Sequence, residues 1–562
     1  MSLCSLIHFV SSSLYKPSPT TYFSCHTILL ISESAPNYSI HQCSISSLFS
    51  SSQGQRSEHS MGSLDAPTAE LSTGFEPLDP EHFRRQAHQM VDFIADYYKR
   101  IETYSVQSQA SPGYLRARLP EAPPHNPEPL ESILRDLEAE IIPGITHWLS
   151  PNFFAYFPAT ASNAAFIGEM LCTCFNTVGF SWFASPAGTE LEMVVVDWLA
   201  HMLQLPKSFM FSNGTGGGGV IQNTTSESIL VTLVAARDRA IDSIGADYMH
   251  KLVAYGSDQT HPTFAKACKI VGIHPGNIRS IPTSMETGFA LSPALLREAV
   301  AADVAAGLVP LYVCATMGTA STTAVDPVEP TADVAGEFGM WLHVDAAYGG
   351  SACICPEFRH YLNGVERADS LSLSPHKWLL TYLDCCCLWV RQSGLLVKAL
   401  STNTEYLSNS PAESEVVVHY KDWQVGTGRR FKSLRLWLVL RSYGVANLQE
   451  HIRSDMRMAR MFEVLVMSDP RFEVVVPRNF ALVCFRLRPT GSVHANTLNQ
   501  KLLEWVNSTG RAYMSNTVVG GVYVLRFAVG ATLTQECHVV AAWDLIRQGA
   551  DALLEVTGKK ID

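Results

Sequence analysis

Regular patterning of hydrophobic and polar residues begins near residue 78. Asp79 and Pro80 suit the N-cap and the first turn of a helix. The following residues place apolar side chains at helical spacing, at Phe83, Ala87, Met90, Val91, Ile94 and Tyr98. This spacing predicts a helix whose single apolar face must pack against another surface.

The middle of the chain alternates helical patterns, such as residues 227–240, with short apolar runs. These runs occupy residues 309–315, 340–344 and 385–390. The alternation predicts an α/β fold with a mostly parallel central sheet and helices on both faces. After about Arg441 the pattern changes to longer helices and strands separated by Pro and Gly, which predicts a smaller C-terminal α+β domain.

Residues 1–60 differ from the rest of the chain. They are rich in Ser, contain only Lys16 and Arg56 as Lys or Arg residues, and show no sustained periodicity, so they cannot build a core. We expect a disordered or non-native extension, with a targeting peptide as the alternative and Met61 as a candidate start. The remaining chain is predicted to comprise an N-terminal helical segment over 61–162, a large domain over 163–436 and a small domain over 437–562.

Composition excludes several classes of partner. The chain has 562 residues, with 41 Lys and Arg against 52 Asp and Glu, and a net charge of −11. It has no basic run that would attract a phosphate backbone, so no nucleic acid is expected. No apolar stretch reaches the roughly 18 residues of a membrane span, so no membrane association is expected. Only 17 % of residues are charged, below the roughly 25 % typical of soluble domains, which favours an oligomer.

Cysteine usage points to a reducing compartment. The 14 cysteines are scattered or adjacent, and none forms the paired C-x-x-C spacing of a zinc site. We therefore predict no metal, mostly buried thiols and a cytoplasmic location.

Lys377 is the first candidate for chemistry. It lies between His376 and Trp378, just beyond the alternating segment 370–374. A solvated surface lysine is one interpretation. The other is an amine held against an aromatic wall in a partly dry pocket, where the charged form is disfavoured, as Schiff-base formation with an aldehyde cofactor requires.

Asp345 is the second candidate. It ends an apolar strand, and ligands of open α/β sheets bind at that edge. Asp345 either caps the next turn or stays ionised and pairs with a protonated pyridinium nitrogen. In the second case the small Ala347 would let the ring lie flat against the backbone.

A glycine-rich run over residues 214–219 precedes Thr225 and Ser226, which open a helical pattern. The run and its hydroxyl residues are either a flexible loop with ordinary caps or a site for a phosphate dianion at the positive end of a helix. The Gly-Lys-Ser/Thr ending of a nucleotide P-loop is missing, although a glycine-loop nucleotide-binding protein stays an alternative. A phosphorylated pyridine aldehyde fits all three segments.

These motifs occur in one order with several others along the chain. The set comprises residues 150–160, 189–192, 258–261, 343–348, 370–378 and 431–437. From about Gly74 onward the chain resembles the group II pyridoxal 5′-phosphate (PLP) decarboxylases, and within them the plant aromatic L-amino-acid decarboxylases, with tryptophan decarboxylases closest. The resemblance implies the PLP-dependent transferase type I fold, PLP as cofactor, residues 163–436 as the PLP-binding domain and a homodimer with shared active sites.

Carried over residue by residue, the resemblance implies a cofactor site. Lys377 would form the Schiff base, Asp345 would pair with the pyridinium nitrogen beside Ala347, and His261 would stack on the ring. The implied phosphate ligands are Thr225, Ser226, Ser370 and His376. The implied aromatic substrate wall comprises Trp148, Tyr156, Phe157, Pro158, Val178 and Phe180.

The resemblance also implies decarboxylation of an aromatic L-amino acid, with Tyr406 protonating Cα after the carboxyl group leaves. Similar aldehyde synthases carry Phe there, so Tyr406 argues for an amine product. Gly428 matches the glycine of the indole-preferring branch, which favours L-tryptophan, tryptamine and alkaloid biosynthesis, unless it is merely a backbone-turn glycine.

Three other functions stay open. They are tyrosine or phenylalanine decarboxylation, aldehyde synthesis, and a catalytically impaired PLP-binding paralogue. The last is motivated by Ala320, which stands where a hydroxyl is expected, and by the length of the glycine-rich run.

Overall fold

The computed structural model describes residues 76–402, 417–488 and 495–558. Its α-helices in chain order are α1 Pro80–Arg100, α2 Leu130–Asp136, α3 Asn163–Phe175, α4 Pro186–Leu203, α5 Thr225–Ile244, α6 Thr263–Val271, α7 Pro293–Ala305, α8 Val328–Glu337, α9 Pro375–Trp378, α10 Ser393–Leu400, α11 Ser433–Ser468, α12 Ala495–Ser508 and α13 Glu536–Gly558. The longest, α11, is broken at Gly444, whose φ of 67° is left-handed.

The strands form two sheets. They are β1 Phe153–Phe154, β2 Gly218–Gln222, β3 Leu252–Ser257, β4 Ile278–Ile281, β5 Val309–Thr316, β6 Trp341–Asp345, β7 Ser370–Leu373, β8 Cys386–Val390, β9 Phe472–Val474, β10 Leu482–Leu487, β11 Tyr513–Val519 and β12 Val522–Ala528. A seven-stranded sheet has the order β2-β8-β7-β6-β5-β3-β4, and a five-stranded sheet has the order β1-β11-β12-β10-β9.

The seven-stranded sheet confirms the predicted α/β class. Strands β4, β3, β5, β6 and β7 pair in parallel, and only β8 runs antiparallel to its neighbours β7 and β2. Strands β6 and β8 are buried along their whole length, which explains why they read as apolar runs. Strand β7 is equally buried but alternates Ser and Leu.

The carboxyl ends of the parallel strands position the site. Thr316 at the end of β5 pairs in register with Asp345 at the end of β6, and Asp345 pairs with Ser372 on β7. The chain then leaves β7 and enters the single turn of α9, which carries Lys377. Residues far apart in sequence are thereby held at one edge of one rigid sheet.

The five-stranded sheet is antiparallel except at β1. Strand β1 pairs in parallel with β11, with Phe153 opposite Tyr513 and Phe154 opposite Met514. A segment that precedes the large sheet in the chain therefore completes the sheet built by the C-terminal residues. The domain limits at residues 162 and 436 stay predictions.

Helix α1 begins as predicted. The side chain of Asp79 accepts a hydrogen bond from the His82 amide at 2.6 Å, and Pro80 occupies the first turn. No residue of α1 is buried, and Phe83 and Val91 are 66 % and 51 % exposed. Across residues 76–402, 417–488 and 495–558, no helix has the length and apolar character needed to span a membrane.

Candidate active site

A cavity of about 420 Å³ opens at the carboxyl ends of β5, β6 and β7. Its lining residues are Trp148, Tyr156, Phe157, Thr224, Thr225, Ser226, His261, Thr263, Thr316, Gly318, Ala320, Asp345, Ala347, Tyr348, His376, Lys377 and Arg526. The three segments singled out from the sequence thus meet in one place. Tyr406 lies outside the described residues.

Asp345 is a buried carboxylate with unsatisfied charge. It is 4 % exposed, and its Oδ1 accepts a hydrogen bond from the Ala347 amide at 3.1 Å. Within the described ranges it forms no ion pair with a Lys, Arg or His side chain. Because a buried charge is stable only when it is paired, this site suits a ligand that carries a positive charge next to Asp345.

Lys377 projects into the same cavity from α9. Its Nζ lies 5.9 Å from the centroid of the Phe157 ring. Burial lowers the pKa of the Lys377 amine, and the negative charge of Asp345 acts in the opposite direction. The amine is therefore biased toward its uncharged, nucleophilic form, as the sequence motif predicts.

A column of aromatic rings holds α9 in place. The Tyr348 ring stacks on Phe157 with centroids 3.8 Å apart and on Trp378 with centroids 4.7 Å apart. Trp378 donates its indole N–H to the buried carboxylate of Asp455 on α11 at 2.8 Å. Lys377 is thus flanked in the chain by a ring that packing and a hydrogen bond both constrain.

His261 lies at the exposed side of the cavity. Its Nδ1 accepts a hydrogen bond from the Thr263 amide at 3.2 Å, so a proton on the neutral ring lies on Nε2. Partial burial lowers the pKa of His261, and Lys377 lowers it further while Asp345 raises it. A neutral imidazole suits the predicted stacking on a flat ring.

The start of α5 forms a cradle of hydroxyl groups. Thr224 is the N-cap residue but makes no side-chain capping bond, and although the Glu227 amide donates to the Thr224 carbonyl at 3.1 Å, the Thr225 and Ser226 amides stay available. The Thr225 hydroxyl lies 3.1 Å from the Ser374 hydroxyl, and Thr263 donates to Ser226 at 2.5 Å. Hydroxyls and amides at the positive end of a 20-residue helix fit a phosphate group.

Two predicted phosphate ligands behave differently. Ser370 does not line the cavity, because its hydroxyl is buried between the Trp341 indole N–H and His343 Nδ1, each 2.8 Å away. Ser374, which sequence analysis missed, does not line the cavity either, but its buried hydroxyl contacts the Thr225 hydroxyl of the cradle. His376 does line the cavity, but its Nδ1 contacts the Cys385 carbonyl at 2.6 Å.

Burial and Lys377 lower the pKa of His376 to about 4. The ring is therefore neutral near pH 7. Because Nδ1 donates to the carbonyl of Cys385, Nε2 of the neutral ring is an acceptor. His376 consequently offers a phosphate no hydrogen-bond donor, unless the negative charge of the bound phosphate raises the pKa of the ring enough for it to take up a proton.

Three of the predicted wall residues line the cavity. The Trp148 and Tyr156 rings stack with centroids 5.5 Å apart, and Phe157 lies beside Lys377. Tyr156 adopts a left-handed φ of 51°, which is unusual for a bulky residue. Pro158 is buried behind the wall, where a Cβ added to Gly530 would lie 2.5 Å from its ring.

The wall residues Val178 and Phe180 and the substrate-preference residue Gly428 do not reach this cavity. They form a separate group, because the Gly179 amide donates to the Arg429 carbonyl at 2.9 Å. The buried Arg429 guanidinium pairs with Glu192, whose carboxylate also accepts the Ile221 amide of β2 at 2.7 Å. This pair ties the group to the strand that leads into the phosphate cradle. We refer to Val178, Phe180 and Gly428 as the second wall group.

Gly428 is exposed, its φ is not left-handed, and an added Cβ would meet no atom within 4 Å. The alternative of a glycine required by its backbone conformation is therefore not supported. The glycine-rich run is also remote from the phosphate cradle. Its positive-φ members, Gly214 and Gly216, precede β2, whereas the cradle follows the far end of that strand.

Arg526 is the main lining residue that the sequence did not reveal. It is 4 % exposed and donates to the Tyr156 carbonyl at 3.3 Å, to the Ser515 hydroxyl at 2.7 Å and to the Ser321 carbonyl at 3.1 Å. Its guanidinium also lies 5.4 Å from the Phe157 ring centroid. A lone Arg in a C-terminal strand carries no local sequence signal, because the Tyr156 and Ser321 carbonyls come from distant segments and only Ser515, opposite Arg526 on β11, is close in the chain.

The chain matches known proteins over most of its length. The family model described as the pyridoxal-dependent decarboxylase conserved domain matches residues 112–488. Tryptophan decarboxylase TDC2 of Camptotheca acuminata is 70 % identical over 498 residues, covering 88 % of this chain and 100 % of the relative. The aromatic-L-amino-acid decarboxylase of Catharanthus roseus is 63 % identical over 500 residues, with the same coverage.

Solved structures of similar proteins share the fold of this chain. Catharanthus roseus tryptophan decarboxylase in complex with L-tryptophan has a TM-score of 0.82 at 64 % identity, and an Oryza sativa TDC with PLP and tryptamine has 0.84 at 55 %. Rhodiola rosea 4-hydroxyphenylacetaldehyde synthase has 0.81 at 49 % identity. Each match covers 85 % of this chain and 99 % or 100 % of the other chain. By sequence and by fold, this chain belongs to the pyridoxal-dependent decarboxylase family.

Proposed function

We propose that this chain is a PLP-dependent carboxy-lyase that converts an aromatic L-amino acid, preferentially L-tryptophan, to the amine and carbon dioxide. One observation carries the proposal. Lys377, Asp345 and the hydroxyl cradle of α5 converge on a single cavity with an aromatic wall. The named relatives with tryptophan and aromatic amino acid activity support the substrate class.

The residues present fit the cofactor. Asp345 forms no direct ion pair within the described ranges and would hold the pyridinium nitrogen, and Lys377 would hold the aldehyde carbon. Thr225 and Ser226 would hold the phosphate at the start of α5, and the buried Ser374 hydroxyl would orient that of Thr225. When bound, the cofactor supplies a cationic ring that accepts the electron pair released as carbon dioxide leaves.

The chain's own residues bind and orient the substrate. The Trp148, Tyr156 and Phe157 rings offer an apolar wall that excludes water beside Lys377. Arg526 fixes the backbone of this wall, and its positive charge attracts the substrate carboxylate. If these residues hold the bond between Cα and the carboxyl carbon of the substrate in one fixed orientation, decarboxylation is favoured over reactions that break other bonds at Cα. Tyr406 then returns a proton to Cα.

We further propose that the protein is a homodimer. Helix α1 buries none of its residues, and a groove of about 450 Å³ between α1 and α3 is lined largely by apolar side chains. Ile167, Met170 and Phe175 of α3 are 52 %, 43 % and 53 % exposed. Exposed apolar surface of this extent is typical of a subunit interface.

The second wall group supports shared active sites. Val178 and Phe180 are apolar residues that lie outside the cavity of their own chain. They lie near Gly428, beside which there is open space. In a two-fold dimer the same patch on each subunit faces its counterpart, so a group near the interface can complete the partner's cavity. The second wall group would then close the substrate pocket across the interface.

We place the enzyme in the cytoplasm and in alkaloid biosynthesis. The cysteines within the described ranges are free thiols, and most are buried. This matches a reducing compartment. The product, an alkyl amine that carries an aromatic ring, is a basic nucleophile that a later reaction can condense with an aldehyde.

Removing the Asp345 charge is expected to shift labelling of Lys377 to lower pH. Burial lowers the pKa of Lys377 and Asp345 raises it, so Asp345→Asn lowers this pKa further. A lower pKa enlarges the uncharged fraction of the amine at every pH below it. The measurement is the pH profile of labelling by an amine-selective reagent in cofactor-free protein, read by peptide mass spectrometry. Exposed Lys207 is the internal control, and an unchanged Lys377 profile would contradict the assignment.

The purified protein is expected to release tryptamine from L-tryptophan with a higher kcat/KM than for L-tyrosine. Gly428→Ser should lower the ratio of the two values by about five-fold, since one hydrogen bond to a phenol is worth roughly 1 kcal/mol. Gly426→Ser, in the same exposed loop, is the matched control and should leave the ratio unchanged. A preference of the parent protein for tyrosine would end the substrate proposal.

Tyr406→Phe is expected to change the product rather than abolish turnover. Without the hydroxyl, Cα is not protonated promptly and becomes open to oxygen, so aldehyde and peroxide should replace tryptamine. Amine, aldehyde and peroxide are measured in one reaction. Tyr248→Phe, an exposed tyrosine far from the chemistry, is the control. Unchanged amine output from Tyr406→Phe would remove the proposed role.

Two inactive variants are expected to complement each other. Lys377→Ala removes the amine, and Gly428→Trp should block the partner's cavity while keeping the fold, because Gly428 faces open space. Random pairing of the two gives one intact site in each mixed dimer, about a quarter of wild-type activity. Each variant alone is the control. Failure of the co-expressed pair to recover activity would show that the second wall group does not act across the interface.

A further inference from the structure

A second concavity lies at the opposite end of the large sheet from the active-site cavity. It has a volume of about 310 Å³ and is bounded by the amino-terminal ends of β6 and β7 and by the end of α8. Its lining residues are Arg239, Ala332, Ala335, Gly336, Gly339, Met340, Leu342, Arg367, Asp369 and Arg391. None of these residues belongs to the active-site cavity described above.

Three guanidinium groups converge on this concavity from separate elements. Arg239 comes from α5, Arg367 from the turn before β7, and Arg391 directly follows β8. The Arg239 guanidinium is held 5.0 Å above the Trp341 ring centroid. The charges are thus positioned by the scaffold before any ligand arrives.

The carboxylates near the three arginines already form ion pairs and hydrogen bonds. Asp369 is the one acidic residue among the described lining residues, and its Oδ1 accepts from Arg391 at 3.0 Å and from Arg239 at 3.4 Å. Its Oδ2 accepts the Leu342 amide at 2.9 Å. Arg367 pairs with Asp333 at 2.5 Å. Three guanidinium groups therefore share two carboxylates, which leaves a surplus positive charge.

One donor of this cluster has no partner. The Nε of Arg391 is buried and forms no hydrogen bond with any described residue. A network whose role is only to stabilise the fold would be expected to satisfy its buried donors. The surplus charge suits an oxyanion in the concavity, and the unpaired Nε shows that the network of ion pairs does not satisfy Arg391 by itself.

We propose that this concavity is a binding site for a phosphate group, either free or carried by a small metabolite. Guanidinium groups match the oxygens of a phosphate with paired, charge-assisted hydrogen bonds. The floor is open, because Gly339 has no atom within 4 Å of an added Cβ, and a Cβ on Gly336 would lie 3.6 Å from Arg367. The concavity is large enough for a phosphate with a short carbon chain.

This site is distinct from the phosphate cradle of the cofactor. Both involve α5, but the cradle is at Thr225 and Arg239 comes 14 residues later, about 21 Å along the helix axis. In the holoenzyme the cradle is filled, so phosphate added to it reports on the second site.

The test is titration of the holoenzyme with inorganic phosphate at constant ionic strength, by calorimetry and by thermal unfolding. We expect saturable binding and a rise in Tm, with Kd raised at least about ten-fold in Arg367→Gln and in Arg391→Gln. Arg367 is 42 % exposed, so its variant should fold even if that of Arg391 does not. Arg297→Gln, which removes an exposed arginine paired with Glu337 outside the concavity, is the matched control and should bind like the parent.

Glycerol 3-phosphate, with glycerol as its control, distinguishes the two sources. Tighter binding of glycerol 3-phosphate than of phosphate indicates a phosphorylated metabolite, whereas the reverse indicates the free ion. The proposal is overturned if the parent shows no saturable phosphate binding. It is equally overturned if Arg367→Gln and Arg391→Gln bind phosphate with the affinity of Arg297→Gln, because the cluster is then only a structural ion-pair network.

Discussion

A buried carboxylate at the end of a central strand constrains the rest of the site. Asp345 cannot leave its position, because β6 is paired with β5 and β7 along its length and is fully buried. The charge is costly there unless a cation lies beside it. Lys377 shares the cavity, yet its own burial disfavours the charged amine. A ligand with a positive ring nitrogen and a carbonyl group would supply the charge that Asp345 lacks and a group with which the Lys377 amine can react.

A second buried charged group, the guanidinium of Arg526, holds the aromatic wall of the cavity in place. Arg526 makes three hydrogen bonds to neutral oxygens, each worth roughly 1.5–3 kcal/mol for a charged donor. Their sum is comparable with the several kcal/mol that burying an ion costs, so Arg526 contributes little net stability. What it does contribute is position, since one of its acceptors is the carbonyl of the left-handed Tyr156. The aromatic wall is thereby fixed by the C-terminal sheet.

Aromatic packing extends this rigidity to Lys377. The stack of Phe157, Tyr348 and Trp378 passes from the cavity wall to the helix that carries the lysine, and Asp455 anchors its far end. Ring pairs contribute about 0.5–1.5 kcal/mol each beyond their buried area. The N-terminal wall segment, the large sheet and α11 therefore restrain the same amine, although the chain separates them by hundreds of residues.

Local chemistry explains which predictions succeeded. The Asp79 cap, the apolar runs of β5, β6 and β8, and the placement of Asp345 and Lys377 near one sheet edge follow from periodicity and from the parallel topology that it implies. The motif around Lys377 was specific enough to indicate the family. Ser370 was misleading because it begins β7, away from the carboxyl end where the cavity lies, and its hydroxyl contacts Trp341 and His343 instead.

The sequence by itself determined the fold class and the type of cofactor, and it predicted that Lys377 and Asp345 lie near one sheet edge, because each depends on residues close together in the chain or on one strand end. Only the tertiary structure decided that Arg526 supports the wall, that the second wall group lies apart from the cavity of its own chain, and that three arginines meet at the amino-terminal end of the large sheet. Those outcomes depend on contacts between distant segments, which residue spacing along a chain does not encode.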